Sequence, residues 1–374
     1  MAAESYIAGI QKNTGYMPQL DTLRVFAVFQ VLLSHWMRKQ PQIAAFPFGE
    51  TGVNLFFVLS GFLITQILLN GRFTDEAEGR SKWKTEINFY IRRTLRIFPI
   101  YYLLILILFI INYIGLRENI AWYLLYASNI LFFVQADWGY QISHLWTLGV
   151  EEQFYIVWPF IILFIPKKHL LKAIIGIILI GPVFRYILIT YIGDSPRASF
   201  IGILTPSNID SFGIGALLAY CRYFGMQILD FKNIYTKLFA GFNLICIILF
   251  VFFSSKILSF SPLKFDMSLI YHVIFPLNVS IVSLFLISKA SIGIKGIIGK
   301  ILDNKILMFL GKISYGLYLY HSFAPNLYDM MHLPKTTKIY INFFLYFVLL
   351  IIISTTSWYL IEKPVNSLKK RFKY

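Results

Sequence analysis

Apolar residues in this chain run in long unbroken blocks, and short polar segments punctuate them. Tyr101–Ile111, Leu244–Phe253 and Phe343–Ile353 contain no charged residue. A transmembrane barrel would instead alternate apolar and polar positions along each strand. Blocks of about 20 residues match the length of helix that crosses roughly 30 Å of hydrocarbon. Ten candidate spans follow from the pattern: 20–36, 50–70, 89–115, 144–165, 170–192, 208–222, 235–254, 268–288, 306–325 and 339–362. The segment 119–135 is also apolar and aromatic, but it carries Ser128 and Asn129. It is expected to lie in the interface or re-enter rather than cross. The pattern predicts an all-α, polytopic membrane protein with about ten transmembrane helices.

Composition sharpens this. Of the 374 residues, 57% are hydrophobic and 14% charged, against about 25% charged in soluble domains. Net charge is +16, which in a soluble protein would raise nucleic acid as a partner. Here the basic residues fall in short loops between spans, so the bilayer, and no nucleic acid, is the expected partner. With the N-terminus cytoplasmic, the inner segments hold roughly three times as many Lys and Arg as the outer ones, as the positive-inside rule requires. Both termini are then cytoplasmic. The expected divisions are a tail at 1–19, a membrane domain at 20–365 and a basic tail at 366–374. The first eighteen residues lack the apolar core of a cleavable signal, so the first span is expected to act as an uncleaved anchor. Cys221 and Cys246 have neither metal nor redox spacing, and no metal is expected.

Candidate chemistry begins in the first span, LDTLRVFAVFQVLLSHW, Leu20–Trp36. Arg24 and His35 are eleven residues apart, about three helical turns, so they share a face and lie about 16 Å apart along the axis. Arg24 reads either as an interfacial arginine reaching the headgroups or as part of a polar path, which is what an ionisable residue inside a span marks by default. Asp21 is one turn from it. His35 is either an interface histidine or a general base suited to neutral pH.

Further along, NFYIRRTLRIFPIYYL places Arg92, Arg93 and Arg96 where the third span begins. They serve as positive-inside anchors, or as a clamp whose guanidinium forks take phosphate oxygens. The fourth span opens HLWTLGVEEQFYIVWP. Adjacent helical residues differ by about 100°, so Glu151 and Glu152 face different ways. Glu151 shares its face with His144, Thr147 and Tyr155, and is the expected cavity-facing acid. Arg185 and Asp210 are either a structural ion pair or substrate contacts. Ser314, Tyr318 and His321 fall on one face of the ninth span, and Glu362 belongs to the inner rim. His35, His144, Glu151, Arg185, Asp210 and His321 thus collect in the outer half, and the arginine cluster at the inner mouth. A phosphorylated donor inside and an acceptor outside would suit this division.

These residues resemble membrane acyltransferase family 3, the O-acetyltransferases of bacterial surface polysaccharides. The motifs that carry the resemblance are Asp21 with Arg24 and His35, GVNLFFVLSGF at Gly52–Phe62, the arginine-rich Arg92–Pro99, HLWTLGVEEQFY at His144–Tyr155, LGKISYGLYLYH at Leu310–His321, and IEKP at Ile361–Pro364. They keep the family's order across nearly the whole chain. The resemblance implies acyl-CoA, most simply acetyl-CoA, as donor bound from the cytoplasm, and a sugar hydroxyl as acceptor. It implies His35 as catalytic base, with Arg24 as its companion, and Arg92, Arg93 and Arg96 as the CoA-facing cluster. From the helical faces themselves, Glu151 is expected in support of the base, and His144, Arg185, Asp210, Tyr318 and His321 as substrate contacts. The expected location is the bacterial inner membrane. Asn54 stands where the family commonly has aspartate, and Ser322–Phe323 where it often has Trp-Pro. Some members carry an additional extracytoplasmic hydrolase-like domain; this chain shows none, so transfer is expected to finish within the membrane domain. The alternatives from other classes are a glycolipid or polysaccharide transporter and a non-catalytic membrane scaffold.

Overall fold

The computed structural model describes residues 16–193, 195–226, 233–254 and 269–372. Most of the tail expected at 1–19 lies outside them, as do Lys12, Lys232, Lys256, Lys264 and Lys373, which entered the charge comparison. The described residues form helices and no strand. In chain order, the helices that position the site are α1 Pro18–Trp36, α2 Phe48–Ala77, α3 Lys82–Ile110, α4 Ile120–Leu124, α5 Ser128–Gln135, α6 Leu145–Phe164 and α7 Lys167–Ile192. There follow α8 Thr205–Tyr223, α9 Ile234–Ser254, α10 Phe275–Ile292, α11 Lys305–Lys312, α12 Ser314–Tyr320, α13 Ala324–Met330 and α14 Ile339–Ser357.

Eight of the described helical segments are long and apolar enough to cross a membrane. The first and ninth expected spans are not among them. In α1, Gln19, Asp21, Arg24, Gln30 and His35 dilute a 19-residue helix, and much of its surface is buried by protein: Leu20, Leu23, Ala27, Val28, Val31 and Leu32 are all core residues. The ninth span is no single helix. Asn304 caps α11, its Oδ1 accepting from the amides of Ile306 at 2.9 Å and Leu307 at 3.2 Å, a standard start signal. The chain then breaks at Ile313 and again at 321–323. Pro325 supplies a reason for the second break: it has no amide to donate to the preceding turn and is tolerated only in the first turn of a helix, here α13. The segment 119–135 forms α4 and α5, of 5 and 8 residues, separated by Tyr126 at φ +53°. Eight helical residues span about 12 Å, too little to cross.

The most extensive interface is between α2 and α8. Two glycines permit it. A Cβ on Gly61 would overlap the Phe212 carbonyl oxygen, and one on Gly215 would overlap that of Val58. The helices therefore meet backbone to backbone, and Phe57, Phe154 and Phe212 stack beside the crossing. Buried Asn54 ties α2 to α8 and α10: its Oδ1 accepts from Ser211 at 2.8 Å and Ser280 at 3.3 Å. These donors suit a neutral amide. At the other end of α2, buried Arg72 donates to the Ile162 carbonyl at 2.7 Å and the Ile165 carbonyl at 2.9 Å, closing the C-terminus of α6, where cations are favoured.

Candidate active site

A cavity of about 250 Å³ opens between α1, α2, α3, α6 and α12. Its charged lining is Arg24, Arg93, Arg96 and Glu151. Phe56, Phe57, Leu63, Ile64 and Ile67 make an apolar wall, and Ser60, Thr147, Tyr155, Ser314 and Tyr318 supply hydroxyls. Thr147, Glu151 and Tyr155 all line it from α6, the face that helical spacing assigned to them; Glu152 is buried elsewhere. Ser60 donates to Glu151 Oε1 at 2.9 Å and receives the Tyr155 hydroxyl at 3.3 Å. Arg24 pairs with Asp21. Arg93 lies over the rings of Phe89 and Tyr155 at 5.5 and 5.4 Å, a cation–π arrangement. No carboxylate lies within ion-pair distance of Arg93 or Arg96 among the described residues.

Three histidines meet beyond Tyr318. His321 Nε2 is 2.9 Å from His35 Nδ1, and the ring centroids of His144 and His321 are 4.8 Å apart. Their placement follows from the broken helix. The last carbonyls of a helix lack partners within it, and here side chains serve them. His321 Nδ1 is 2.6 Å from the Tyr318 carbonyl, His144 Nε2 is 3.0 Å from that of Leu319, and Trp36 Nε1 donates to that of His321 at 3.1 Å. His144 and His321 are buried, whereas His35 is exposed. His35 is not in the cavity lining. Arg24 faces the cavity, and His35 sits past Tyr318 and Thr147, whose hydroxyls bond at 2.7 Å. Tyr318 is the link, since it lines the cavity and its carbonyl holds His321.

Three expected site residues point elsewhere. Arg92 donates at 2.9 Å to the carbonyls of Lys369 and of Phe372, tying the C-terminal segment to α3; Arg93 and Arg96 face the cavity without it. Arg185 and Asp210 form a bidentate pair at 2.9 and 2.7 Å, buried away from the cavity. Arg185 also donates to the Ser207 carbonyl. Their charges are spent on each other, so neither is placed to touch a substrate in the cavity. Glu362 is buried in the π-helical turn Trp358–Glu362, where Ser357 donates to it at 3.4 Å. The sequence assigned no role to Ser60, Tyr315 or Trp36, though all three lie inside quoted motifs, and it marked Ser322 only as a departure from the family pattern.

No solved structure matches the chain. A Staphylococcus aureus (strain MSSA476) protein named as a candidate O-acetyltransferase is 31% identical over 372 residues, 94% of this chain and 58% of that protein. The peptidoglycan O-acetyltransferase OatA of Listeria monocytogenes is 30% identical over 333 residues, 82% of this chain and 49% of its own length. O-acetyltransferase OatA of Staphylococcus aureus (strain NCTC 8325) is 26% identical, over 96% of this chain and 58% of that one. The chain thus spans less than two thirds of the length of these relatives. The family model described as an acyltransferase domain matches residues 17–363, and the chain belongs to acyltransferase family 3.

Proposed function

We propose that this chain is an O-acyltransferase of the bacterial inner membrane, with ten crossings and both termini cytoplasmic. It moves an acyl group, most simply acetyl, from cytoplasmic acyl-CoA to a hydroxyl of a cell-surface glycan or a lipid-linked precursor. The observation that carries this is the imbalance of the cavity: Arg93 and Arg96, with no carboxylate in ion-pair distance among the described residues, and Arg24, already paired with Asp21, line it beside one acid, Glu151, and an apolar wall. A polyanionic donor with a long flexible arm complements that lining, because guanidiniums take phosphate oxygens in pairs and the arm needs an apolar lane. The arm would carry the thioester past Tyr318 toward His35.

There the imidazole accepts the proton of the acceptor hydroxyl as its oxygen attacks the thioester carbonyl. The carbon–sulfur bond breaks, and the proton passes from the imidazole to the departing CoA sulfur. Arg24 acts on the donor, one cavity length from the imidazole, and Glu151 holds the guanidinium array in balance. The acceptor approaches His35 from its exposed side.

The test is transfer of labelled acetyl from acetyl-CoA to candidate glycans by purified protein in detergent. Expected is acceptor label with CoA release, both abolished in His35→Ala. Folded protein that releases no CoA with any acceptor, yet moves glycan across vesicles, would make it a transporter.

A further inference from the structure

We infer that His321 is a positioning residue that fixes the tautomer of His35 and turns the Nε2 lone pair of that ring outward to the acceptor hydroxyl. The inference rests on His35 being the base. It begins with carbonyls, which accept and never donate. His321 Nδ1 is 2.6 Å from the Tyr318 carbonyl, so Nδ1 carries the proton of that ring. In the neutral imidazole the other nitrogen is then an acceptor. The atom 2.9 Å from that Nε2 is His35 Nδ1, which must donate. The proton of neutral His35 is therefore on Nδ1, and its Nε2 holds the lone pair, on a residue that is exposed.

Both nitrogens of the neighbouring ring meet carbonyls: His144 Nε2 is 3.0 Å from that of Leu319 and Nδ1 is 3.0 Å from that of Gln141, with the Ser322 hydroxyl also 3.0 Å from Nδ1. A neutral His144 donates to one of them. Ser322 is 3.3 Å from His321 Nε2, farther than His35 Nδ1 at 2.9 Å, so the shorter contact takes the His321 lone pair. As His35 gains a proton during transfer, its Nδ1–H bond to His321 strengthens. This is the logic by which a third group orients a catalytic base, with a neutral imidazole as the orienter.

Two isosteric variants separate positioning from packing. In His321→Gln the amide oxygen reaches the place of Nε2 and can accept from His35. In His321→Asn the amide nitrogen replaces Nδ1 and leaves His35 unpartnered. In the transfer assay, His321→Asn is expected to lose kcat on the order of 100-fold, since a base in the wrong tautomer is severely impaired, while KM for donor and acceptor stays within about twofold. His321→Gln is expected to recover at least roughly tenfold of that loss. Equal kcat in the two variants, or a loss confined to KM, would overturn the inference. Should both buried-site variants fail to fold, Nδ1-methylhistidine in place of exposed His35 asks the same question: it keeps Nε2 and removes the donated proton. A large loss of kcat is expected, and full activity overturns the inference. Wild-type protein without any transfer would instead overturn the acyltransferase reading, and the role of His321 with it.

Discussion

Two arginine sites in this protein are built from the same residue types and end differently. Arg185 is met by both oxygens of Asp210 and by the Ser207 carbonyl, in a buried place outside the lining of the cavity described above. Arg93 and Arg96 line a void and have no carboxylate within ion-pair distance among the described residues. The first arrangement neutralises its own charge, although Arg185 Nε has no hydrogen-bond partner among the described residues. The second leaves electrostatic demand that an anionic ligand would meet. Intramembrane charge alone therefore does not mark a site; charge left unspent beside a space does.

The comparison can be broken most forcefully at the closed pair. Removing one partner of a buried ion pair strands the other, at a cost of about 3–5 kcal/mol. Arg185→Ala is expected to lower thermal stability in detergent by that order, and Arg185→Met combined with Asp210→Leu to recover much of it. A fully stable Arg185→Ala protein would show that the pair does not support the fold. At the open site the pattern reverses. Arg93→Ala with Arg96→Ala forfeits charge-assisted bonds of roughly 1.5–3 kcal/mol each, so KM for acyl-CoA should rise at least tenfold, while the melting temperature holds. Unchanged donor dependence would remove the clamp.

The α2–α8 crossing gives an intermediate effect. Gly61→Ala overpacks it, at about 1–3 kcal/mol, and should show as lost stability ahead of any change in donor KM. The smallest effect sharpens the division of the arginine cluster. Arg92→Ala should raise donor KM less than Arg96→Ala does, while limited proteolysis at 368–372 increases. The reverse ranking would return Arg92 to the cavity.

Much of the fold was legible because lipid forces apolar blocks into helices. Glu151 was legible because a 100° turn per residue is a property of the backbone alone. What escaped the sequence depends on contacts between distant segments. The sequence grouped Arg92, Arg93 and Arg96 at the start of one span, but whether the C-terminal carbonyls or the cavity receive Arg92 is decided by residues 277 and 280 positions away. Arg24 and His35 share a face, yet Tyr318 and Thr147 stand between them. The break at 321–323 was hidden because LGKISYGLYLYHS reads as one continuous amphipathic run, and its cue, Pro325, came just after the motif.

The glycine-to-carbonyl crossing of α2 and α8 has a mechanical consequence. With no side-chain cushion between them, these two rods can neither slide nor rotate without steric collision, so they behave as a single stiff spar. The wall carrying Phe56, Ser60 and Ile64 is part of that spar and serves as a fixed datum. Breathing that admits a bulky ligand is expected at the opposite jamb, where α3 carries Arg93 and Arg96, and the short α12, interrupted at both ends, carries Tyr315 and Tyr318.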